Sequence, residues 1–217
     1  MKNQLYNLII DDVTEHCYKN CLDYFSNDSA VLDVGIGNGV MLKKFHHLIK
    51  SKSLKITGID INKSYINHCD RLISTFQLKD HIEIYHESVE DYEPKNKAFD
   101  FILFSMSFML FKDQHLVLDK IKNCLKPGGE IVFFQTIFKE KFQLMEFIKP
   151  KLKYITTIDF GGVTYEKDFF ALLNKKRLSI SKDMLIKKEW FRGEYRMIVA
   201  SYANGKMNEH SCLSPVH

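Results

Sequence analysis

The pattern of apolar and polar positions along the chain changes repeatedly between short buried runs, typical of strands, and the 3.6-residue spacing typical of helices. The clearest change lies at residues 31–34, where Val-Leu-Asp-Val forms a short apolar run of the kind found in a strand covered on both faces. Gly35, Gly37 and Gly39 follow directly, and the apolar positions 41, 45, 48 and 49 then fall on one helical face. The pattern predicts a strand, a glycine-rich turn and a helix, in that order.

Strand and helix patterns alternate along nearly the whole chain. Asn62 and Asp113 each stand directly before a helical pattern, where a side chain that caps the first turn is preferred. The helix that Asp113 begins is expected to include Cys124 and Leu125 and to stop at the Pro-Gly-Gly sequence of 127–129. Because strands alternate with helices, the predicted fold class is α/β. The predicted strands are 31–34, 55–62, 99–104, 131–134, 184–190 and 195–202, and the predicted helices are 5–25, 40–49, 63–76, 114–125 and 165–174.

The last two predicted strands are joined across residues 191–194, which indicates a β-hairpin at the end of the fold. No Pro/Gly/Ser-rich linker or internal repeat divides the 217 residues, of which 45% are hydrophobic, enough for one sizeable core. A cleavable leader pattern is not found, and no apolar run approaches about 18 residues. We therefore expect a single domain over residues 1–217 that is soluble and cytoplasmic, without membrane insertion.

The cysteines are expected to be reduced thiols without a metal. The five are Cys17, Cys21, Cys69, Cys124 and Cys212. They fall mostly within helical segments and form no framework typical of disulfides. Cys17 and Cys21 lie one helical turn apart and next to His16, but three ligands of this kind are too few for a structural zinc site, which is tetrahedral. The same positions also belong to an apolar helical face.

The formal net charge of +4 is modest and gives only weak support for a nucleic-acid partner. Lysine-rich segments at 43–44, 149–153, 175–177 and 187–188 could form a patch for RNA, although solvated helix faces explain them about as well. No zinc knuckle or RNP aromatic motif accompanies them. RNA therefore stays a minor hypothesis.

The glycine-rich turn narrows the kind of ligand that the chain can bind. Glycine lets a backbone turn sharply and approach a ligand without a Cβ in the way. A P-loop would need a Gly-Lys-Ser/Thr ending, and a dinucleotide fingerprint would need a small residue where Val40 stands. The observed spacing is G-x-G-x-G, with Asp33 two residues before the first glycine. An ordinary tight turn would explain this loop if it stood alone.

The second predicted strand favours a nucleotide-like ligand because it ends in a carboxylate, Asp60. A carboxylate at this place can accept hydrogen bonds from both hydroxyls of a ribose. Alternatively, Asp60 or Asn62 only caps the next helix, and Asn62 suits that role better because it directly precedes the helix. The two roles do not exclude each other.

Four landmarks in this order make the chain resemble the class I S-adenosylmethionine-dependent methyltransferases. They are the glycine loop 32–39, Asp60, the strand 99–104 and the Leu-Lys-Pro-Gly-Gly-Glu sequence 125–130. The resemblance covers residues 29–202. It implies a Rossmann-like three-layer sandwich with a mostly parallel seven-stranded sheet that ends in an antiparallel β-hairpin. It also implies a helical lid at 1–28, a substrate-side insertion at 139–163 and a tail at 203–217.

The resemblance also implies which residues bind S-adenosylmethionine. Gly35, Gly37 and Gly39 would pass under its methionine part, with Asp33 near the amino group, and Asp60 would bind the ribose. The adenine would meet Ser88, where the family often has an acidic residue, or alternatively the neighbouring Glu87. The complete predicted set is Asp33, Gly35, Ile36, Gly37, Gly39, Asp60, Ile61, Ser88, Val89, Phe104 and Ser105.

The methyl acceptor is less clearly indicated. The Asn/Asp-Pro-Pro-Tyr/Phe motif of many amino-methylating enzymes is absent after the strand 99–104. Residues 104–111 are apolar instead, so Met106 and Phe108 could line a small-molecule pocket, or could simply pack the following helix. Tyr6 in the lid and Gln135 after the next strand are further candidate contacts, with Thr136 beside it. The product would be S-adenosylhomocysteine.

A general base is needed only if the acceptor must lose a proton. The sulfonium already activates the methyl group, so the protein chiefly has to position the reactants, which can contribute roughly 7 to 11 kcal/mol. The candidate bases are His16, Glu140 and Tyr165, with His81 and His86 as further histidines. The leading hypothesis is a small-molecule methyltransferase. The alternatives are a protein or RNA methyltransferase and a catalytically silent subunit that binds the cofactor.

Overall fold

A computed structural model describes residues 14–94, 99–140, 162–188 and 193–202 of the chain. Strands and helices alternate as the apolar pattern predicts. The strands are β1 (Ala30–Val34), β2 (Lys55–Asp60), β3 (Ile82–His86), β4 (Phe99–Ser105), β5 (Leu125–Phe138), β6 (Leu178–Lys188) and β7 (Gly193–Tyr202). The helices are α1 (described over 14–24), α2 (Val40–Ser51), α3 (Lys63–Thr75), α4 (Gln114–Lys122) and α5 (Glu166–Lys175), with a short 3-10 helix at Phe108–Leu110.

All seven strands form one sheet, in the order β3-β2-β1-β4-β5-β7-β6. The first five are parallel, while β7 pairs antiparallel with both β5 and β6. The prediction of a mostly parallel sheet ending in an antiparallel hairpin is therefore confirmed. The strand order reverses between β1 and β4, and in sheets of this kind ligands bind beyond the carboxyl ends of the strands at such a point.

Helices cover both faces of the sheet and produce the three predicted layers. One core contains buried side chains of α1, α2 and α3, among them Leu22, Met41 and Cys69. The other contains those of α4, α5 and the 3-10 helix, and it is rich in phenylalanine. Asn62 and Asp113 cap α3 and α4 as predicted, because their side chains accept backbone N–H groups of the first turn. Two caps correctly placed from the sequence thus fix where these helices begin.

Helix α4 is shorter than the sequence predicts, and β5 is longer. The helix ends at Lys122, so the prediction that Cys124 and Leu125 belong to it was wrong. The carbonyl of Cys124 accepts the N–H of Phe99 over 3.0 Å, and Leu125 is already paired with Phe99. Pairing with β4 therefore begins earlier than expected. The register between β4 and β5 then shifts after Phe99. Gly128, with φ of 79°, lies in this irregular part of β5, whereas the sequence predicted that the Pro-Gly-Gly segment would precede the strand.

Several predictions concern parts of the chain outside the described residues. These are Tyr6 and the first part of the lid, residues 141–161 of the insertion, the 189–192 turn, and the tail with Cys212. The division of 1–217 into lid, core, insertion and tail stays a prediction. Among the described residues, no helix is both long enough and apolar enough to span a membrane.

Candidate functional site

The glycine loop joins β1 to α2, and its three glycines serve different purposes. All have positive φ, at 81° for Gly35, 64° for Gly37 and 77° for Gly39. A Cβ on Gly35 would lie 2.8 Å from Ser107 Cβ, and one on Gly39 would lie 2.7 Å from Leu72 Cδ1. A Cβ on Gly37 would meet nothing nearer than a carbonyl of its own loop, at 4.0 Å. Packing of the protein therefore requires the outer two glycines, whereas the middle one presents bare backbone to open space.

Asp60, the last residue of β2, is bonded to the glycine loop. Its Oδ2 accepts the N–H of Gly37 over 2.9 Å, and its Oδ1 accepts that of Asn62 over 2.8 Å. Asn62 meanwhile caps α3 by accepting the N–H of Ser64 over 3.0 Å. Each carboxylate oxygen has a second acceptor position. Asn62 therefore caps α3, and the Asp60 carboxylate can still accept hydrogen bonds from the two hydroxyls of a ribose.

The end of β3 supports the turn that follows Asp60. The Nε2 of His86 donates to the carbonyl of Ile61 over 2.9 Å, and the N–H of Glu87 donates to the carbonyl of Asp60 over 3.1 Å. The side chain of Ile61 is 74% exposed, which is unusual for a large apolar residue. Because Ile61 stands next to the Asp60 carboxylate, its exposed side chain can pack against the flat ring of a nucleotide base whose ribose binds Asp60.

Ser88 and Val89, predicted at the adenine, form a tight turn after β3. The Ser88 hydroxyl is bonded to the carboxylate of Glu90 and accepts the N–H of the same residue over 3.2 Å. Val89 is buried in the phenylalanine-rich core. Their role toward adenine stays a prediction. We call the residues 34–39, 60–62 and 86–89, at the ends of β1, β2 and β3, the β1–β3 edge.

Asp33 is fully buried under this edge, with an exposed fraction of 0%. Its Oδ2 accepts the hydroxyl of Tyr18 over 3.3 Å, whereas its Oδ1 has no partner among the described residues. Burial raises the pKa of Asp33 to about 7, the Tyr18 hydrogen bond lowers it, and the charge of Asp60 raises it. Buried polar atoms are normally hydrogen-bonded, so the Oδ1 of Asp33 is a candidate acceptor for a donor group of a ligand.

Helix α1 contributes two side chains that the sequence did not identify as part of the site. Besides Tyr18, the thiol of Cys17 is hydrogen-bonded to the hydroxyl of Ser105, with 3.3 Å between sulfur and oxygen. Burial raises the pKa of Cys17 well above its usual value. The apolar spacing of α1 indicated a packed face, but no sequence signal showed which strands that face meets.

The ends of β4 and β5, residues 104–108 and 135–138, form the second part of the site, which we call the β4–β5 edge. Met106 has a φ of 57°, a left-handed conformation that is uncommon without glycine. This conformation turns the chain so that the hydroxyl of Ser107 donates to the carbonyl of Val34. Met106 is partly exposed, whereas Ser105 and Ser107 are buried.

The aromatic side chains of the β4–β5 edge are packed in the core. Phe104 stacks on Phe133 with 5.5 Å between ring centroids, and Phe108 meets Phe133 edge-on at 4.9 Å. Both Phe104 and Phe108 are almost completely buried. Any contact of these two positions with a ligand would therefore have to involve the backbone.

Gln135 has the least satisfied side chain of this edge. It is 0% exposed, and neither its Oε1 nor its Nε2 has a partner among the described residues. Arg196 lies opposite it on β7 and is bound instead by both carboxylate oxygens of Asp183 and by Glu166, 3.1 Å away. The guanidinium is thus paired with acidic groups and not with the Gln135 amide beside it, although its NH1 has no hydrogen-bond partner among the described residues.

A groove of about 550 Å³ opens between the segment after β4 and the start of α5, and none of the residues 104–108 and 135–138 lines it. One wall is the segment 109–115 after β4, and the other consists of residues 162–165 and the first half of α5. Met109, Phe111 and Tyr165 are among the lining residues. The groove is large enough for a small organic molecule.

The candidate bases are spread over the molecule. His86 ends β3, and Glu140 and Tyr165 follow β5 and precede α5, so these three lie at the carboxyl ends of strands. His16 is exposed on α1. His81 precedes β3, and its Nδ1 is bonded to the carbonyl of Leu54 at the opposite end of the sheet, which separates it from the site.

The fold and the glycine loop define the class I S-adenosylmethionine-dependent methyltransferase fold, and comparison with known proteins agrees. Residues 31–129 match the family described as "Methyltransferase domain". The chain is 29% identical over 161 residues to the ubiquinone/menaquinone biosynthesis C-methyltransferase UbiE of Wigglesworthia glossinidia brevipalpis, covering 72% of this chain and 59% of that protein. It is 27% identical over 173 residues to the malonyl-[acyl-carrier protein] O-methyltransferase 2 of Ilyobacter polytropus, covering 77% and 61%.

A solved structure shows the same fold. The geranyl diphosphate C-methyltransferase of Streptomyces coelicolor A3(2), in complex with Mg²⁺, geranyl diphosphate and S-adenosyl-L-homocysteine, superposes with a TM-score of 0.68 at 13% identity and covers 86% of this chain and 76% of its own. In its fold, the chain is similar to the class I S-adenosylmethionine-dependent methyltransferases. It spans about three fifths of the length of the two curated relatives named above.

Proposed function

We propose that this protein transfers the methyl group of S-adenosylmethionine to a small-molecule acceptor. The observation that carries the proposal is the bond between the two predicted cofactor elements, Gly37 N–H to Asp60 Oδ2 at 2.9 Å. It brings the bare backbone of the glycine loop beside the carboxylate for the ribose. The matched methyltransferase domain, residues 31–129, includes both residues.

The residues of the β1–β3 edge fit this cofactor. Gly37 leaves room above its backbone, and Asp60 has acceptor capacity for a ribose. Beneath the edge, the Oδ1 of Asp33 has no partner among the described residues and suits an amino group. Ile61 would cover the adenine. When bound, the cofactor supplies a methyl group that is already activated by its sulfonium.

The chain's own contribution is to hold the acceptor in line and to exclude water. Ser105 ends β4 and Met106 follows it, and the groove lined by the segment after them would hold the body of the acceptor. The buried amide of Gln135 would orient a polar group of the acceptor. His16, Glu140 and Tyr165 stay candidates for removing a proton where the acceptor has one to lose.

A small acceptor is favoured because the groove has the volume of a small-molecule site. One named relative is a C-methyltransferase of ubiquinone/menaquinone biosynthesis, and the other is a malonyl-[acyl-carrier protein] O-methyltransferase. A cytoplasmic location belongs to the same proposal. The described cysteines are free thiols, which are typical of a reducing compartment.

The test is incubation of fractionated cell extract with radiolabelled S-adenosylmethionine and the protein, with Asp60→Ala as the control. We expect label in the small-molecule fraction and much less with the variant. Label in protein or RNA would support the alternative substrates, and binding without any label would support a silent subunit. Binding of NAD but not of S-adenosylmethionine would overturn the proposal.

A further inference from the structure

Helix α1 contacts the buried carboxyl group of the site through one side chain, Tyr18. Its ring is buried, and its hydroxyl donates to Asp33 Oδ2 over 3.3 Å. In the described part of the chain, Asp33 Oδ1 has no hydrogen-bond partner. One oxygen of a fully buried carboxyl group therefore depends on this phenol, and the other has no donor.

The surroundings of Asp33 favour its neutral form. Cys17 and Tyr18 face it from α1, Asp60 from β2 and Cys69 from α3, and none of these groups is a cation. Burial raises the pKa of Asp33 to about 7, against the lowering effect of the Tyr18 hydrogen bond. Desolvation without a positive partner has this effect on a carboxylate.

A buried acceptor in such surroundings selects a cationic donor. An ammonium group would supply both the hydrogen bond and the positive charge that none of the described neighbours gives to Asp33. We infer that Tyr18 is a positioning residue that keeps Asp33 able to ionise, so that binding of an ammonium-bearing ligand at Asp33 releases one proton. The inference rests on the proposed function, because the ligand is then S-adenosylmethionine or S-adenosylhomocysteine.

The proton balance is simple. Below pH 7 the ligand-free protein holds Asp33 mainly as the carboxylic acid. The ligand enters with its ammonium protonated, Asp33 transfers its proton to the buffer, and the carboxylate–ammonium pair remains. A cation lowers the pKa of an adjacent carboxyl group, so the bound form stays ionised at lower pH. Affinity should therefore fall as the pH drops below about 7.

The first test measures Asp33 itself in the ligand-free protein, by carbon NMR of labelled aspartate carboxyls across pH 4 to 9. We expect a midpoint near that of the raised pKa, about 7. Tyr18→Phe removes only one oxygen, and it should move the midpoint upward by about 0.4 to 1 pH unit, the size expected for one neutral hydrogen bond. A midpoint near the ordinary value for aspartate, or no change in Tyr18→Phe, would overturn the inference.

The matched control is Tyr24→Phe on the same helix. Tyr24 also loses a hydroxyl hydrogen bond, to Glu130 Oε2 at 2.8 Å, but Glu130 lies in the first half of β5 and not at the site. Tyr24→Phe should leave the Asp33 midpoint unchanged. An equal shift in both variants would assign the effect to looser packing of α1 and would overturn the role of Tyr18.

The second test is calorimetric binding of S-adenosylhomocysteine between pH 5.5 and 7.5, in buffers of different ionisation enthalpy. With one linked proton and a pKa of about 7, the affinity should weaken about 25-fold over this range. Asp33→Asn should remove this dependence. 5′-Methylthioadenosine, which has no ammonium group, should bind the wild type without proton release.

The outcomes separate this inference from the proposed function. Binding of S-adenosylhomocysteine with an affinity that does not change with pH, and without proton release, would overturn the coupling alone. No binding at any pH would overturn the proposed function as well. If Asp33→Asn does not fold, the NMR midpoint and Tyr18→Phe still decide the matter.

Discussion

The β1–β3 edge and the β4–β5 edge lie side by side, yet their polar groups are satisfied in different ways. At the β1–β3 edge, Asp60 and His86 bond to backbone groups of neighbouring segments. At the β4–β5 edge, side chains pack against other side chains, and the amide of Gln135 has no partner among the described residues. The first edge is therefore a preformed backbone cradle, and the second is a packed wall with one unused polar group.

This difference fits the proposed function, in which the β1–β3 edge binds the cofactor and the β4–β5 edge faces the acceptor. A cradle made of glycine backbone and one carboxylate suits a ligand that is the same in every turnover, and the N–H groups of residues 35–37 hold it in shape by bonding to Ile59 and Asp60. The aromatic side chains of the other edge belong to the core, so a substitution there also changes stability. Gly35 and Ser107 lie close together at the boundary, where the hydroxyl of Ser107 also donates to the carbonyl of Val34.

The largest expected effect is a loss of stability at the β4–β5 edge, and it is compared with a loss of binding at the β1–β3 edge. Phe108→Ala should lower the free energy of unfolding by about 3 to 5 kcal/mol, because it empties a site in the aromatic core. The control at the other edge is Ile61→Ala, which should change stability by no more than about 0.5 kcal/mol, since this side chain is 74% exposed. Ile61→Ala should instead weaken binding of S-adenosylhomocysteine. Denaturant unfolding and calorimetry measure the two effects, and a stable Phe108→Ala protein would contradict the packing role.

The second prediction concerns the boundary between the edges. Gly35→Ala forces a left-handed residue, which costs about 1 to 2 kcal/mol, and crowds Ser107, which adds about 1 to 3 kcal/mol. Gly37→Ala should cost only the first amount, because its Cβ would stand in open space. The double variant Gly35→Ala with Ser107→Gly should recover part of the crowding, as measured by urea unfolding. Equal losses at Gly35 and Gly37 would show that the contact with Ser107 does not matter.

The smallest expected effect is a gain in the stability of the ligand-free protein. Gln135→Met removes a buried amide that has no partner among the described residues, and it keeps a similar volume, so the ligand-free protein should become more stable by about 1 to 3 kcal/mol. Gln114→Met is the matched control, because the Gln114 amide donates to the carbonyl of Phe108 over 3.1 Å and its loss should be destabilising. Thermal unfolding distinguishes the two signs. Destabilisation by Gln135→Met would mean that the amide is already used in the folded protein.

The sequence predicted the β1–β3 edge well because its structure is local. The glycines with positive φ, the Asp60 carboxylate and the Asn62 cap lie close together in the chain, and the glycine turn and the cap are found where they were predicted. The start of β6 was missed. This strand begins at Leu178, but most of its residues are exposed at the sheet edge, so it has little burial pattern to find.

The contacts of α1 and the packing of Phe108 could not be predicted because they depend on tertiary structure. Nothing in the spacing of residues 18 and 33 shows that Tyr18 would meet Asp33, since the contact exists only after α1 packs on the sheet. Likewise, an apolar run after β4 is compatible with a ligand pocket or with a core. Only the position of α5 and its Phe169, 5.2 Å from Phe133, completes the aromatic core.

The most direct test of the central claim is calorimetric titration of S-adenosylhomocysteine into the wild type and Asp60→Ala at pH 7.5. The claim is that the glycine loop and Asp60 form one cofactor site. It predicts a single site in the wild type and an affinity about 10- to 150-fold weaker in the variant, equivalent to about 1.5 to 3 kcal/mol for a lost charged hydrogen bond. Equal affinity in the two proteins, or no binding to the wild type, would contradict it.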